Sequence, residues 1–508
     1  MIVCCRDTLA GITKTTELAT NMAWPRGRNG CGWMHIISKY MKYPVLAAPN
    51  IGAHWLLGCL LLMLLAANAT AAPSIRWICS TETKPWQEMT APPVADGTDA
   101  DAVKLNPEVR FQTIDGFGGC FNELAWAALQ QAGKSQRKAV LAALFDPRTG
   151  CGFSLCRLPI GANDFALDWY SDDETAGDFA MKHFSIRRDE TNLIPYLKAA
   201  MKYQPKLKVW GVPWCPPSWM TTTNDYKHGC MKQDAPTLAA YALYFSKFVQ
   251  AYQRAGINLY AIHPQNEPSY NNNIYPQCKW SGPEINVFLR DYLLPQLKQD
   301  QVKVEVWLGT IVSHRLEEFV DPVLGDPVTG PQITGVGYQW AGRPAFAATH
   351  QKYPDKQLLQ TETECNDGAN SWAQAVTTFD RISEDLNHYA NGYDYWNMVL
   401  NETGKSSWNW RQNCLVTVNP QAHEIVFNPE FYALKHYSHF VPPGGHRIAV
   451  NGEVVKNISA FQTPAGKLVV VASNHGSAGS TLRLAAGGKE ATFSLPPNSM
   501  NTMVLSDW

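Results

Sequence analysis

The chain has 508 residues, 45% apolar and 17% charged, enough to bury a large core and to suggest one big domain with a smaller one beside it. A formal net charge of −1 offers no basic stripe for phosphates and no acidic tail, so no nucleic-acid partner is expected and the substrate should carry little charge. The 18 Trp, 20 Tyr and 19 Phe supply more aromatic surface than a core alone tends to need, and aromatic faces suit the stacking of uncharged rings such as sugars.

Residues 41–73, MKYPVLAAPNIGAHWLLGCLLLMLLAANATAAP, have the parts of a secretory signal: Lys42, the apolar stretch Leu56–Ala67, then small residues that offer cleavage near Ala69–Ala72. That apolar stretch falls short of the roughly 20 residues a membrane span needs. A signal peptide over 41–72 and a secreted or periplasmic product, without a stable membrane span, are therefore expected. Residues 1–40 show neither helical nor strand period and would lie outside such a signal, so they read as a mis-assigned upstream extension with Met41 as the start.

From residue 111 short apolar runs alternate with longer helical stretches, the pattern of a parallel sheet with crossover helices. Eight runs are counted: QTIDGFGG (112–119), GFSLCRLP (152–159), LKVWGVPW (207–214), LYAIHPQNEP (259–268), VKVEVWLG (302–309), ITGVGYQW (333–340), QLLQTE (357–362) and YDYWNMVL (393–400). Eight such units fit an α/β fold, a (β/α)8 barrel over 111–434. An open doubly wound sheet would want a glycine-rich phosphate loop, and GFGG (116–119) is not followed by one. Residues 447–505 alternate apolar and polar between Gly, Pro and Asn turns, which predicts an antiparallel β-sandwich. The segment 74–110 is too short to be a domain, so 74–110 and 435–508 are expected to build that side domain from both chain ends.

In a barrel the reacting groups stand at the C-terminal ends of the strands. Two glutamates fit: Glu267, ending the fourth run in HPQNEPSY, and Glu362, closing the seventh in QTETEC, with Glu364 two residues on as its rival. The Glu-Pro bond favours an extended or turn conformation at Glu267. Two carboxyls facing each other across a barrel mouth are what glycoside hydrolysis needs, one to protonate the leaving oxygen and one to attack or to activate water. Neither a metal nor a cofactor is called for. The nine cysteines beyond residue 72 are scattered with no CxxC pair, and His436 and His439, although spaced HxxH, lie past the barrel strands without a third ligand and read as structural.

The ordered motifs IDGFGGCFNELA (114–125), FSLCRLPIGANDFA (153–166), PWCPPSWM (213–220), NEPSY (266–270), TETEC (361–365), YDYWNMVLN (393–401) and NPEFYALKHYSHFVPPGGHRI (428–448) together resemble glycoside hydrolase family 30, which holds the glucosylceramidases and β-1,6-glucanases. The resemblance implies a retaining β-glycosidase with Glu267 as acid/base and Glu362 as nucleophile. Asn266 would hold the sugar 2-OH, and Arg157 would orient the nucleophile. It also implies that Glu123 replaces an Asp placed near the sugar hydroxyls, and that Trp214 and Trp340 are ring platforms. Gln339 stands where glucosylceramidases carry His, and Trp396 and Asn397 match the family's strand-eight pair.

In the nucleophile motif Cys365 comes one residue late. Glu362 is chosen over Glu364 because it closes the strand, where a rigid position is easier to hold. The expected substrate is a carbohydrate, a β-glucan (β-1,6-linked) or glucosylated oligosaccharide. A xylosidase or xylanase of the same family and a non-catalytic carbohydrate-binding barrel are the alternatives. The expected pH profile is a bell on the acid side of neutral.

Overall fold

The computed structural model describes residues 72–97, 99–363, 365–451 and 457–508. The upstream extension expected over 1–40, nearly all of the signal expected over 41–72, and Glu364 lie outside the described residues.

Each of the eight apolar runs contributes a strand: β1 Gly116–Cys120, β2 Leu155–Pro159, β3 Lys208–Val212, β4 Ala261–Ile262, β5 in two pieces (Glu305–Val306 and Leu308–Ile311), β6 Gly335–Gln339, β7 Gln357–Glu362 and β8 Gly392–Asn397. They pair in parallel in the order β5-β4-β3-β2-β1-β8-β7-β6-β5. β4 holds the first piece of β5 and β6 holds the second, so the sheet returns on itself through Trp307, whose N–H reaches the Ile262 carbonyl at 3.0 Å. Burial on both faces explains why these strands read as apolar runs instead of alternating. The β1–β2 approach is so close that a Cβ on Gly118 would fall 1.7 Å from the Leu155 carbonyl oxygen, which leaves glycine as the residue that fits there.

The second sheet has ten strands drawn from both sides of the barrel sequence. Strand 74–80 pairs antiparallel with 499–506, and strand 103–113 pairs with 446–451. Its alternation is visible in Leu468–Asn474, where Val470 packs with Trp77, Leu105 and Phe493 inside the side domain, while Val469 and Val471 join the core that includes the barrel. His436, in helix Pro429–Ser438, is buried at this junction, with Nδ1 2.8 Å from Thr502 Oγ1 and Nε2 2.9 Å from Ser80 Oγ. Its ring nitrogens therefore tie the two chain ends to the barrel. The nine cysteines among the described residues are free thiols, and no helix among those residues is long and apolar enough to cross a membrane.

Candidate active site

Glu362 is the last residue of β7, and its neighbour across the sheet is Gln339, the last residue of β6. β4 is short, so Asn266 and Glu267 lie beyond its ladder and are held by other strands: the Asn266 N–H reaches Pro213 O at 2.8 Å and the Glu267 N–H reaches Thr310 O at 3.1 Å. These bonds hold Glu267 at φ 45°, so the residue turns through the left-handed region and the extended form allowed by Glu-Pro is not adopted. Trp340 sits at φ 50°. A non-glycine residue held there costs about 1–3 kcal/mol, and such strain clusters at functional sites.

The two carboxyls share one hydrogen-bonded network. Arg157, on β2 and fully buried, donates through Nη1 to Glu362 Oε2 at 2.6 Å and through Nη2 to Asn266 Oδ1 at 2.5 Å. Its guanidinium lies over Trp214 at 4.3 Å, with Trp210 and Trp396 at 5.2 and 5.3 Å, so the cation is packed among indoles. Trp340 Nε1 donates to Glu362 Oε1 at 3.0 Å. Gln339 links the pair, donating through Nε2 to Glu267 Oε1 at 2.9 Å while its own oxygen faces Arg157 Nη1 at 3.4 Å. Glu267 Oε2 accepts from Tyr275 Oη at 3.2 Å and from Gln277 Nε2 at 3.3 Å. Asn266 has its oxygen taken by Arg157 and by Thr310 Oγ1 at 2.8 Å.

Both glutamates open onto one cavity of about 470 Å³, lined also by Asp164, Trp214, Tyr275, Trp340, Trp408 and Trp410. Burial raises the Glu267 pKa to about 7, helped by the charge of Glu362 and opposed by Gln339, Tyr275 and Arg157. Burial also raises Glu362, but there Arg157 is the foremost opposing influence, with Trp340 after it. The cation is bonded to one carboxyl only. That difference favours ionised Glu362 beside protonated Glu267, the division that acid catalysis with a carboxylate nucleophile requires.

Glu123, Trp396 and Asn397, expected among the substrate-binding residues, do not line the cavity and are engaged by the protein itself. Glu123, the first residue of its helix, turns away from the cavity: Oε1 accepts from Arg188 Nε at 2.9 Å and Asn192 Nδ2 at 3.0 Å, and Oε2 from Arg188 Nη2 at 2.7 Å and the Leu167 N–H at 2.8 Å. Its carboxylate is filled by the protein. Trp396 is buried behind Trp214, ring centroids 5.2 Å apart, and does not line the cavity. Asn397 is buried as well, accepting from Asn122 Nδ2 at 3.2 Å and donating to Gln412 Oε1 at 2.7 Å. It anchors a loop.

The carboxylate that does face the cavity is Asp164, in the turn after β2, whose Oδ1 is buried with no protein partner. Burial, reinforced by the charge of Glu362, holds its pKa well above the ordinary range. Sequence reasoning also missed Tyr275, Trp408 and Trp410. The pair of Trp in the polar stretch SSWNWRQ (406–412) was the available signal, since indoles in a polar loop have no core to fill.

Residues 114–441 match the model of the glycosyl hydrolase family 30 TIM-barrel domain and 444–503 that of the family 30 β-sandwich domain. The chain is 27% identical over 400 residues to the lysosomal acid glucosylceramidase of Mus musculus, covering 73% of this chain and 77% of that one. It is 25% identical over 428 residues to an endo-1,6-β-D-glucanase of Trichoderma harzianum, covering 78% and 85%. Among solved structures, SrfJ from Salmonella typhimurium shares the fold, with a TM-score of 0.78 at 24% identity over 85% of this chain and 99% of that one. With both domain models matched in order, and paired glutamates at one barrel mouth, the chain belongs to glycosyl hydrolase family 30 and is a glycoside hydrolase.

Proposed function

We propose that the protein is a retaining hydrolase of β-glucosidic bonds, with Glu267 as acid/base and Glu362 as nucleophile. In the first step the Glu267 proton passes to the glycosidic oxygen as the C1–O bond breaks, and a Glu362 oxygen bonds to C1 to give a glycosyl ester. In the second, Glu267 takes a proton from water, the water oxygen bonds to C1, and the ester bond opens, which regenerates both side chains. The observation that carries this reading is the unequal setting of two carboxyls on one cavity: Arg157 is bonded to Glu362 and not to Glu267.

A β-glucan (β-1,6-linked) or a glucosylated oligosaccharide is the proposed substrate, supported by the aromatic cavity walls and by relatives named as glucosylceramidase and endo-1,6-β-D-glucanase. Export after cleavage near Ala69–Ala72 is part of the same proposal. NMR of the first sugar released from a β-glucoside tests the mechanism: the β anomer is expected, and the α anomer refutes retention. Parallel assays on β-1,6-glucan, glucosylceramide and aryl β-xyloside test the substrate, and preference for the xyloside overturns the glucose assignment.

A further inference from the structure

Tyr275 and Trp408 belong to loops after β4 and β8, and they meet beside the cavity with ring centroids 5.7 Å apart and planes 18° apart. Trp408 leans on Trp410 at 5.2 Å, and Trp410 on Trp340 at 6.4 Å. Aromatic faces therefore run from Tyr275 round to the indole that donates to Glu362. Tyr275 also touches the chemistry, because its hydroxyl donates to Glu267 Oε2 at 3.2 Å, and Gln277 Nε2 bridges that oxygen and the hydroxyl at 3.3 and 3.0 Å. One ring thus has an edge on the proposed proton donor and a face on the aromatic wall.

Resting on Glu267 as acid/base, we propose that Trp408 and Tyr275 form the platform for the leaving group, a neutral sugar ring, and that Tyr275 is the positioning residue through which this platform aligns Glu267 for proton transfer. Flat indole and phenol faces suit the C–H face of a sugar ring. A lipid chain would want an unbroken apolar trough, whereas this cavity is interrupted by Asn271 and Asn272 and by Glu267 and Asp164. Once the Glu267 proton has gone to the departing oxygen, the carboxylate left behind accepts the Tyr275 O–H, a bond that favours the charged form. The stack against Trp408 holds the phenol where it can make that bond. The other charged groups that influence Glu267 are Glu362 from β7, Arg157 from β2 and Asp164 from the turn after β2, and neither substitution below removes them.

The test measures kcat/KM against pH for the wild type, Tyr275→Phe and Trp408→Ala on two substrates. One is a β-1,6-linked glucose disaccharide, and the other is 2,4-dinitrophenyl β-glucoside, whose leaving group departs without protonation. Both variants should lower the disaccharide-to-dinitrophenyl ratio by about tenfold or more, since the lost terms act on the leaving group. On the disaccharide both should move the basic limb to higher pH, Tyr275→Phe further, because a bond to the ionised acid is lost or loosened. A ratio unchanged within about twofold, an unmoved limb, or wild-type preference for glucosylceramide over the disaccharide overturns the proposal. Should Trp408→Ala be inactive on both substrates, Trp408→Phe is judged by the same ratio. A wild type that hydrolyses neither glucoside defeats the catalytic reading itself, whereas turnover of both with unchanged ratios defeats this inference alone.

Discussion

Glu267 and Glu362 are one residue type, almost equally buried, at one cavity, and what distinguishes them is their partners. Glu362 has a guanidinium and an indole N–H, whereas Glu267 has two amides and a phenol. Because the Glu267 pKa is raised to about 7 in the folded state, its contribution to stability is present below the unfolded carboxyl value and lost as pH rises through 7. Glu267→Gln should therefore match the wild type in thermal stability near pH 4 and exceed it near pH 8, by about 1–3 kcal/mol. Its kcat/KM on unactivated β-glucosides should fall about 10²–10⁴-fold. Melting curves at the two pH values check the first point: a variant no more stable at pH 8 contradicts the burial account. At this scale the places of both glutamates were legible, because Asn-Glu-Pro interrupts the apolar run of β4 shortly after its ladder and Thr-Glu closes β7. The partners of Glu123 were not legible, since an acid at a helix start shows nothing of Arg188, 65 residues away.

The elements that shape the cavity are the barrel strands and the loops that leave them. All eight strands were legible because each is buried on both faces and so stands out as an apolar run. The loops were not, since no period marks them and their contacts are distant. The stretch 401–415 is fastened by Asn397 to Gln412, by the Ser407 N–H to the Asp164 carbonyl at 2.9 Å, and by Asn413 to the buried Glu430 at 3.0 Å. This fastening carries Trp408 and Trp410 to the cavity. Asn397→Ala leaves the Gln412 and Asn122 amides without their shared partner, a cost of about 1–3 kcal/mol. The expected result is a several-fold rise in KM for a β-glucoside with a smaller change in kcat. A fall in kcat alone, with KM unmoved, would place Asn397 in the chemistry instead of the loop.

Across the whole molecule, the two chain ends and the barrel meet at His436. Burial lowers its pKa to about 3, with Lys435 adding to the shift, so the ring is neutral in the folded protein. The sign follows: this contribution is present above the unfolded value near 6.5 and is lost as pH falls toward the folded value. His436→Gln keeps a donor and an acceptor but removes the titration. Its stability relative to wild type should therefore rise as the buffer goes from pH 7 to pH 4, and parallel melting curves over that range contradict the assignment. The sequence reads His436 as structural because it lies past the barrel strands without a third ligand; its partners Ser80 and Thr502, 356 and 66 residues away, were not legible.

The central claim is that Glu362, held by β7 and by Arg157, is the carboxylate that bonds to C1. Glu362→Ala assayed with and without sodium azide tests it most directly. The variant should lose several orders of magnitude in kcat on an aryl β-glucoside while keeping its fold. Azide entering the vacated space should restore turnover and yield the α-glucosyl azide, because the anion attacks from the face Glu362 occupied. A Glu362→Ala enzyme that remains active, with Glu364→Ala inactive and rescued by azide, contradicts the claim and moves the nucleophile to the carboxylate beside Cys365.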